Sequence, residues 1–335
     1  MGLDLSLIWA AIILFGIMMY VVMDGFDLGV GILFPWFTAK DHRDVMMNTV
    51  APVWDGNETW LVLGGAGLLA AFPLAYAVVL SALSLPLTFM LIGLVFRGVA
   101  FEFRFEAREH ERHFWDKAFI VGSVVAAFFQ GVALGAFIRG IPVAGRAYAG
   151  GPLDWLSPFS LFTGVGLVVA YALLGSTWLI LKTEGALQER AYRITRRLAW
   201  SLLGVIVVIS VWTPLANPLI ATRWFSFHTQ LWISPVPLLV AVSVTVLLRS
   251  ISRKAQALPF LSALALMLLG YGGLGISLWP NIVPPAITIW DAASPPQSQG
   301  FALIGAVLTI PMILAYTIWA YSVFHGKVRP GDGYH

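Results

Sequence analysis

No cysteine occurs in the 335 residues, which excludes disulfides, iron–sulfur clusters and thiolate metal sites within this chain. Charge is nearly as scarce. Only 11% of residues are Asp, Glu, Lys or Arg, against about a quarter in an ordinary soluble chain. No Lys or Arg stands between Arg43 and Arg97, and no Asp or Glu between Arg190 and Trp290. The histidines, His42, His110, His113, His228, His325 and His335, all fall in predicted loops or tails. No predicted span therefore offers an imidazole to a haem iron. Met18, Met19, Met23, Met90, Met267 and Met312 lie in spans and could be axial ligands in principle, but without a histidine partner packing is their simpler role. His228, near one membrane face, could bind a quinone or a metal; a lone interfacial histidine is ordinarily neither. A phosphate-cradling glycine loop and a metal-spaced cluster are also missing, so redox chemistry is not expected of this chain alone.

What is present is apolar. Hydrophobic residues make up 59% of the chain and mean hydropathy is +0.84, more than a soluble fold can bury. The apolar runs reach the ~20 residues a helix needs to cross a bilayer, so the spans are helical rather than a barrel. The expected fold is an all-α, polytopic integral membrane protein, one domain over 1–335. Its nine transmembrane helices, in packed bundles, lie near 7–36, 52–72, 76–97, 118–138, 158–181, 198–217, 232–249, 258–279 and 299–324. No cleavable signal peptide is expected, since no basic segment precedes the apolar run at 3–23 and no small-residue cleavage site follows it.

The basic residues test that parse. Of 20 Lys and Arg, only Arg139, Arg146 and Arg223 fall on one face; the rest follow spans one, three, five, seven and nine. This bias predicts an N-terminus outside and a C-terminus in the cytoplasm. A pI near 9.2 thus marks one membrane face and not a nucleic-acid partner. Short loops leave no soluble domain. Segment 102–117 reads as a cytoplasmic helix continuing span three, with charge pairs three or four apart on a solvated face. The apolar, Pro-rich loop 280–298, which holds Asp291, reads as a segment lying in the interface or against a partner. Gly25-x3-Gly29 and Gly131-x3-Gly135 allow close helix approach, a weak signal because glycine is frequent in membrane helices.

The chemistry concentrates in a few acids. Asp24 and Asp27 lie about 26–30 Å along span one from its outer end, near the cytoplasmic side. Span two begins on that side with Trp54-Asp55-Gly56-Asn57-Glu58, and span three returns to it with Arg97 and Glu102. Asp24/Asp27 and Asp55/Glu58 are each spaced i,i+3 and share a helix face. A charged Asp at a helix centre costs about 2.5–3.5 kcal/mol on insertion scales, and burial together with like-charge proximity brings carboxyl titration toward neutrality. One reading is a proton path from the cytoplasm. Another is structural: Asp55 as N-cap and Glu58 at N3 form a capping box where the helix dipole favours anions, while Asp24-Gly-Phe-Asp27 turns the chain or pairs with Arg97. Both readings stay open on the residues alone.

Three motifs in order resemble subunit II of the cytochrome bd-type ubiquinol oxidases: Asp24-Gly-Phe-Asp-Leu-Gly-Val-Gly31, Asn48-Thr-Val-Ala-Pro-Val-Trp-Asp-Gly-Asn-Glu-Thr-Trp60 and Phe96-Arg-Gly-Val-Ala-Phe-Glu-Phe-Arg104. Thr288-Ile-Trp-Asp-Ala292 is similar to that family's motif before its last span, and the compact length is similar to that of the cyanide-insensitive branch. The resemblance implies a respiratory terminal oxidase of the bacterial inner (plasma) membrane that oxidises quinol and reduces dioxygen to water. It implies b-type and d-type haems in a partner subunit I and none here, membrane lipid and quinone as neighbours, and room for a small single-span subunit. It also implies a proton path through Asp24, Asp55, Glu58 and Glu102, with Trp54, Asn57 and Arg97 positioning them and Asp27 in a structural role. A stand-alone proton-coupled transporter is the competing class. Transporters place midplane polar residues in both halves, and the acid-free interval from Arg190 to Trp290 speaks against one. A purely structural scaffold is the third reading.

Overall fold

Asp4 opens the first helix: its carboxylate accepts from the Leu7 backbone N–H at 3.1 Å, satisfying one of the donors a helix start leaves free. From there α1 (Leu5–Leu33) runs unbroken into a 3-10 turn at Phe34–Trp36. Asp24-Gly-Phe-Asp27 is inside this helix, so it does not turn the chain. In the computed structural model, which describes residues 4–226 and 234–331, the helices that follow are α2 (Lys40–Asn48), α3 (Trp54–Ala71), α4 (Pro73–Ala82), α5 (Ser84–Glu106), α6 (Arg112–Arg139) and α7 (Pro158–Lys182). Beyond them come α8 (Gly185–Ala216), α9 (Pro218–Trp224), α10 (Pro235–Ser252), α11 (Leu258–Leu278) and α12 (Pro296–Val323).

Among the described residues eight helices are long and apolar enough to cross a membrane: α1, α5, α6, α7, α8, α10, α11 and α12. The segment expected at 52–72 is α3, whose polar first turns set it apart from those eight. The segment expected at 76–97 is divided at Leu83 between α4 and a longer α5. Pro73 heads α4, and Pro86 sits in the first turn of α5, where a missing N–H has no helical partner to lose. Segment 102–117 is not one solvated helix either. α5 stops at Glu106 and α6 starts at Arg112, because the chain must reverse there to re-enter the bundle. α8 begins at Gly185, ahead of the expected 198, since Leu187, Ala191, Tyr192 and Thr195 bury one face of its charged first turns. Residues 232 and 233 of the expected seventh span, and His228, lie outside the described residues.

Glycines bring the central helices together. A Cβ on Gly29 of α1 would stand 1.9 Å from the Tyr171 carbonyl oxygen of α7, and one on Gly175 would stand 2.3 Å from the Gly29 carbonyl carbon. Backbone meets backbone there. Gly131 and Gly135 of α6 meet Ser160, Thr163 and Gly164 of α7 in the same way, so both Gly-x3-Gly pairs are used for close packing. α7 is the hub: 72% of its most apolar stretch is buried inside the chain, against 6% for α12 at the periphery.

The two ends differ. At one, ion pairs join the chain reversals: Lys40 to Glu109 at 3.3 Å, Lys254 to Glu189 at 2.7 Å and Arg329 to Glu184 at 2.8 Å. Lysines there cap each other's helices, Lys182 Nζ donating to the Phe324 carbonyl at 2.6 Å and Lys327 Nζ to the Thr183 carbonyl at 2.7 Å. At the other end lie two antiparallel hairpins. β1 (Val143–Ala144) pairs with β2 (Ala147–Tyr148), and β3 (Asn281–Val283) with β4 (Ile287–Thr288). The second hairpin packs on this chain itself, burying Val283, Ile287, Ile289 and Ala292, and Ser294 donates from N to the Ala71 carbonyl at 2.8 Å and from Oγ to the Ala70 carbonyl at 3.0 Å.

Candidate functional site

Arg97, about two and a half turns before the end of α5 at Glu106, is fully buried. Its Nη1 donates to Asp24 Oδ1 of α1 at 2.6 Å, and its Nη2 donates to Glu58 Oε1 of α3. Asp24 is buried, while the Glu58 side chain keeps 28% of its surface exposed, so Glu58 is where the group opens outward. Asp27 is fully buried one turn along α1. It accepts from Asn57 Nδ2 at 2.7 Å, and Asn57 Oδ1 accepts from the Tyr321 hydroxyl of α12 at 3.0 Å. Trp54 and Phe101 stack with centroids 5.1 Å apart, and the Arg97 guanidinium carbon lies 5.9 Å from each ring. Two aromatic faces thus hold the cation in register, and the absence of a side chain at Gly98 leaves room for Trp54, which a Cβ there would meet at 3.2 Å.

Not every predicted residue joins. Asp55 and Glu102 are both exposed, outside the bonds of the Arg97 group. The capping box is not formed: α3 begins at Trp54 with Val53 as N-cap and no side-chain cap bond. Glu58 is committed to Arg97 in place of the helix start, because a buried guanidinium is a stronger partner than backbone amides already near water. Asp55, in the first turn of α3, keeps a favourable place in the helix dipole. Asp27 has the structural bond to Asn57, yet it sits in the same buried group as the other acids.

A second cluster lay unread in the sequence. Arg104, buried on α5, meets Asp44 Oδ1 of α2 at 2.7 Å and Asp116 Oδ1 of α6 at 2.6 Å, and Arg43 Nη1 meets Asp116 Oδ2 at 2.7 Å. The available signal was the spacing: Arg104 follows Arg97 by seven residues, two turns along nearly the same face. Tyr321 was also missed, since its bond to Asn57 spans 264 residues. Among the described residues no group of His, Asp and Glu has metal-binding geometry.

The profile of the cytochrome bd terminal oxidase subunit II family matches residues 5–324. The chain belongs to that family. It is 30% identical to cytochrome bd-I ubiquinol oxidase subunit 2 of Escherichia coli K12, with 98% of this chain and 96% of the relative covered. It is likewise 30% identical to cytochrome bd ubiquinol oxidase subunit 2 of Bacillus subtilis, over 97% and 96%. In fold it is similar to a chain in the structure of bd oxidase from Geobacillus thermodenitrificans, with a TM-score of 0.78 at 19% identity, covering 96% of this chain and 99% of that one. In this subunit II, then, the residues quoted for the resemblance are the ones that build the Arg97 group: Asp24 and Asp27 from the first motif, Asn57 and Glu58 from the second, Arg97 from the third.

Proposed function

We propose that this chain is the subunit II of a respiratory quinol oxidase of the bacterial inner membrane, and that its Arg97 group takes up protons from the cytoplasm for dioxygen reduction in a haem-bearing subunit I. Family membership and the names of its relatives support the oxidase. The proton role rests on one observation: Asp24, Asp27 and Glu58 are gathered around the single guanidinium of Arg97, and Glu58 alone of the three reaches the surface. A group with more carboxyls than cations can accept a proton at its exposed member and hand it inward, whereas a matched pair has no spare site. Exposed Asp55, beside Glu58 on α3, can gather protons for it, and exposed Glu102 is a further candidate collector.

The orientation proposed, N-terminus periplasmic and C-terminus cytoplasmic, is supported by the basic residues and by the ion pairs that tie their loops to one end. Haem is assigned to the partner. The described histidines stand at helix ends and in loops, and His42 of α2 and His113 in the first turn of α6 offer no buried imidazole pair, so the donor set of the described residues does not fit a haem iron. Membrane lipid and quinone are the further proposed neighbours, with place for a small single-span subunit and no nucleic acid.

The test is to assemble the oxidase with Glu58→Gln or Asp24→Asn and to measure quinol-driven oxygen consumption together with proton uptake. Uptake should slow by about tenfold or more with haem content unchanged; Asp55→Asn and Glu102→Gln should have smaller effects. Wild-type uptake in both the Glu58→Gln and the Asp24→Asn variant would remove the proton role and leave a scaffold.

A further inference from the structure

Asp24 uses only one of its oxygens on Arg97. Its Oδ2 is buried and receives no hydrogen bond from any described residue. Tyr20 is one turn earlier on the same face of α1, 2% exposed, with a hydroxyl that lies beside the Asp24 carboxylate but makes no well-formed hydrogen bond. From α7 comes Tyr171, fully buried, whose ring lies on Gly25: a Cβ there would stand 2.8 Å from it. The Tyr171 hydroxyl neighbours Asp24 and the Gln130 amide of α6 without hydrogen-bond geometry to either, and Gln130 Oε1 is buried and unpartnered as well.

Isolated cases of this kind arise from aromatic packing, and each tyrosine taken alone would be read so. Together they match. Two hydroxyl donors, Tyr20 and Tyr171, face two free acceptors, Asp24 Oδ2 and Gln130 Oε1, where α1, α6 and α7 meet. Buried polar groups are nearly always paired, with protein or with ordered water, and a water with two to four such partners is a standing part of a fold. Position adds direction. Tyr20 is about 6 Å farther than Asp24 from the Leu33 end of α1, and Gln130 is about 14 Å of helix from Arg139 at the opposite end of α6. The row therefore leads away from Glu58 and into the bundle.

We propose that Tyr20 and Tyr171 continue the proton path beyond Asp24, as a hydrogen-bond chain closed by ordered water and anchored at its inner end by Gln130. This rests on the proton role proposed for the Arg97 group. Asp24 releases a proton from Oδ2 to a bridging water. Each phenol oxygen accepts a proton from one side as its own leaves on the other, so both tyrosines end neutral and the proton comes to rest, as hydronium, on the bridging water held at Gln130 Oε1. The Gln130 amide accepts a hydrogen bond and fixes the direction of the last link without carrying the proton.

The experiment uses the assembled oxidase in lipid nanodiscs. A structure at a resolution that shows ordered water should reveal density bridging Tyr20, Tyr171, Gln130 and Asp24. Tyr20→Phe with Tyr171→Phe should slow proton uptake by about tenfold, while the haem spectrum and the KM for quinol stay at wild type. Should that pair fail to assemble, the rate of Tyr171→Phe alone decides. Absence of bridging density, or wild-type uptake in the phenylalanine variants, overturns the proposal. Asp24→Asn measured in parallel separates the two readings: wild-type uptake there removes the role of the Arg97 group itself, and the density then still judges the hydrogen-bond row.

Discussion

Two arginines stand two turns apart on α5, and each holds two carboxylates. Around Arg104 the count is even: Arg104 and Arg43 face Asp44 and Asp116. Around Arg97 it is not: one guanidinium serves Asp24 and Glu58, with Asp27 held beside them through Asn57. The even cluster fastens α2, α5 and α6 where the chain reverses, which is a task for fixed charges. The uneven one joins α1, α3 and α5 deeper in the bundle, where a surplus carboxyl is expensive unless it is used. Similar residues on one helix thus do different work, and the difference lies in the charge count and in depth.

The largest effect should come from breaking the uneven cluster. Arg97→Met leaves its carboxyls without their cation and should cost about 3–5 kcal/mol, seen as loss of assembled, haem-containing complex. Adding Asp24→Asn and Glu58→Gln to that variant should restore assembly but not proton uptake. If Arg97→Met alone assembles and melts like wild type, the group is not charged as drawn. Arg104→Met should cost less, about 1–3 kcal/mol, because Asp44 and Arg43 remain partly in water; thermal melting of the complex measures it. Smaller again is the effect of acids outside the membrane. Asp4 and Asp291 are held below the usual carboxylate range, chiefly by hydrogen bonds from Trp290 and Thr288 respectively. Their stabilisation is present at neutral pH and lost as pH falls through those lowered values. Acid titration of Trp290 fluorescence should show that step, and Asp4→Asn with Asp291→Asn should flatten it. Last, Asp44→Asn should leave proton uptake at wild type. A slowdown there equal to that of Glu58→Gln would erase the distinction between the clusters.

Much of this was readable from the chain. Hydropathy placed the long helices, and the depth argument put Asp24, Glu58 and Arg97 at one level before any contact was known. Local rules misled where a distant partner won. Asp55 and Glu58 have the spacing of a capping box, but Arg97, 39 residues beyond Glu58, takes its carboxylate. The charges of 102–117 look solvated in a linear reading, yet Arg104 and Asp116 are buried because α2 folds over them with Asp44 and Arg43. Loop 280–298 has the composition of an interfacial or partner-facing segment; Val283, Ile287, Ile289 and Ala292 cover its own chain, while Trp290 stays exposed. Tyr20, Tyr171 and Tyr321 carried no pattern at all, since an aromatic residue in an apolar helix is ordinary until its neighbours are known.

The bonds from Ser294 to the carbonyls of Ala70 and Ala71 also set a schedule. α3 ends beside a proline-headed helix that cannot take up its last carbonyls, and the residue that does so lies 224 positions later than Ala70. At ~5–20 residues per second the ribosome needs about 10–45 s to deliver it. For that interval the nascent chain holds an unfinished helix end, so a factor that shelters the α3–α4 junction during insertion has a definite window in which to act.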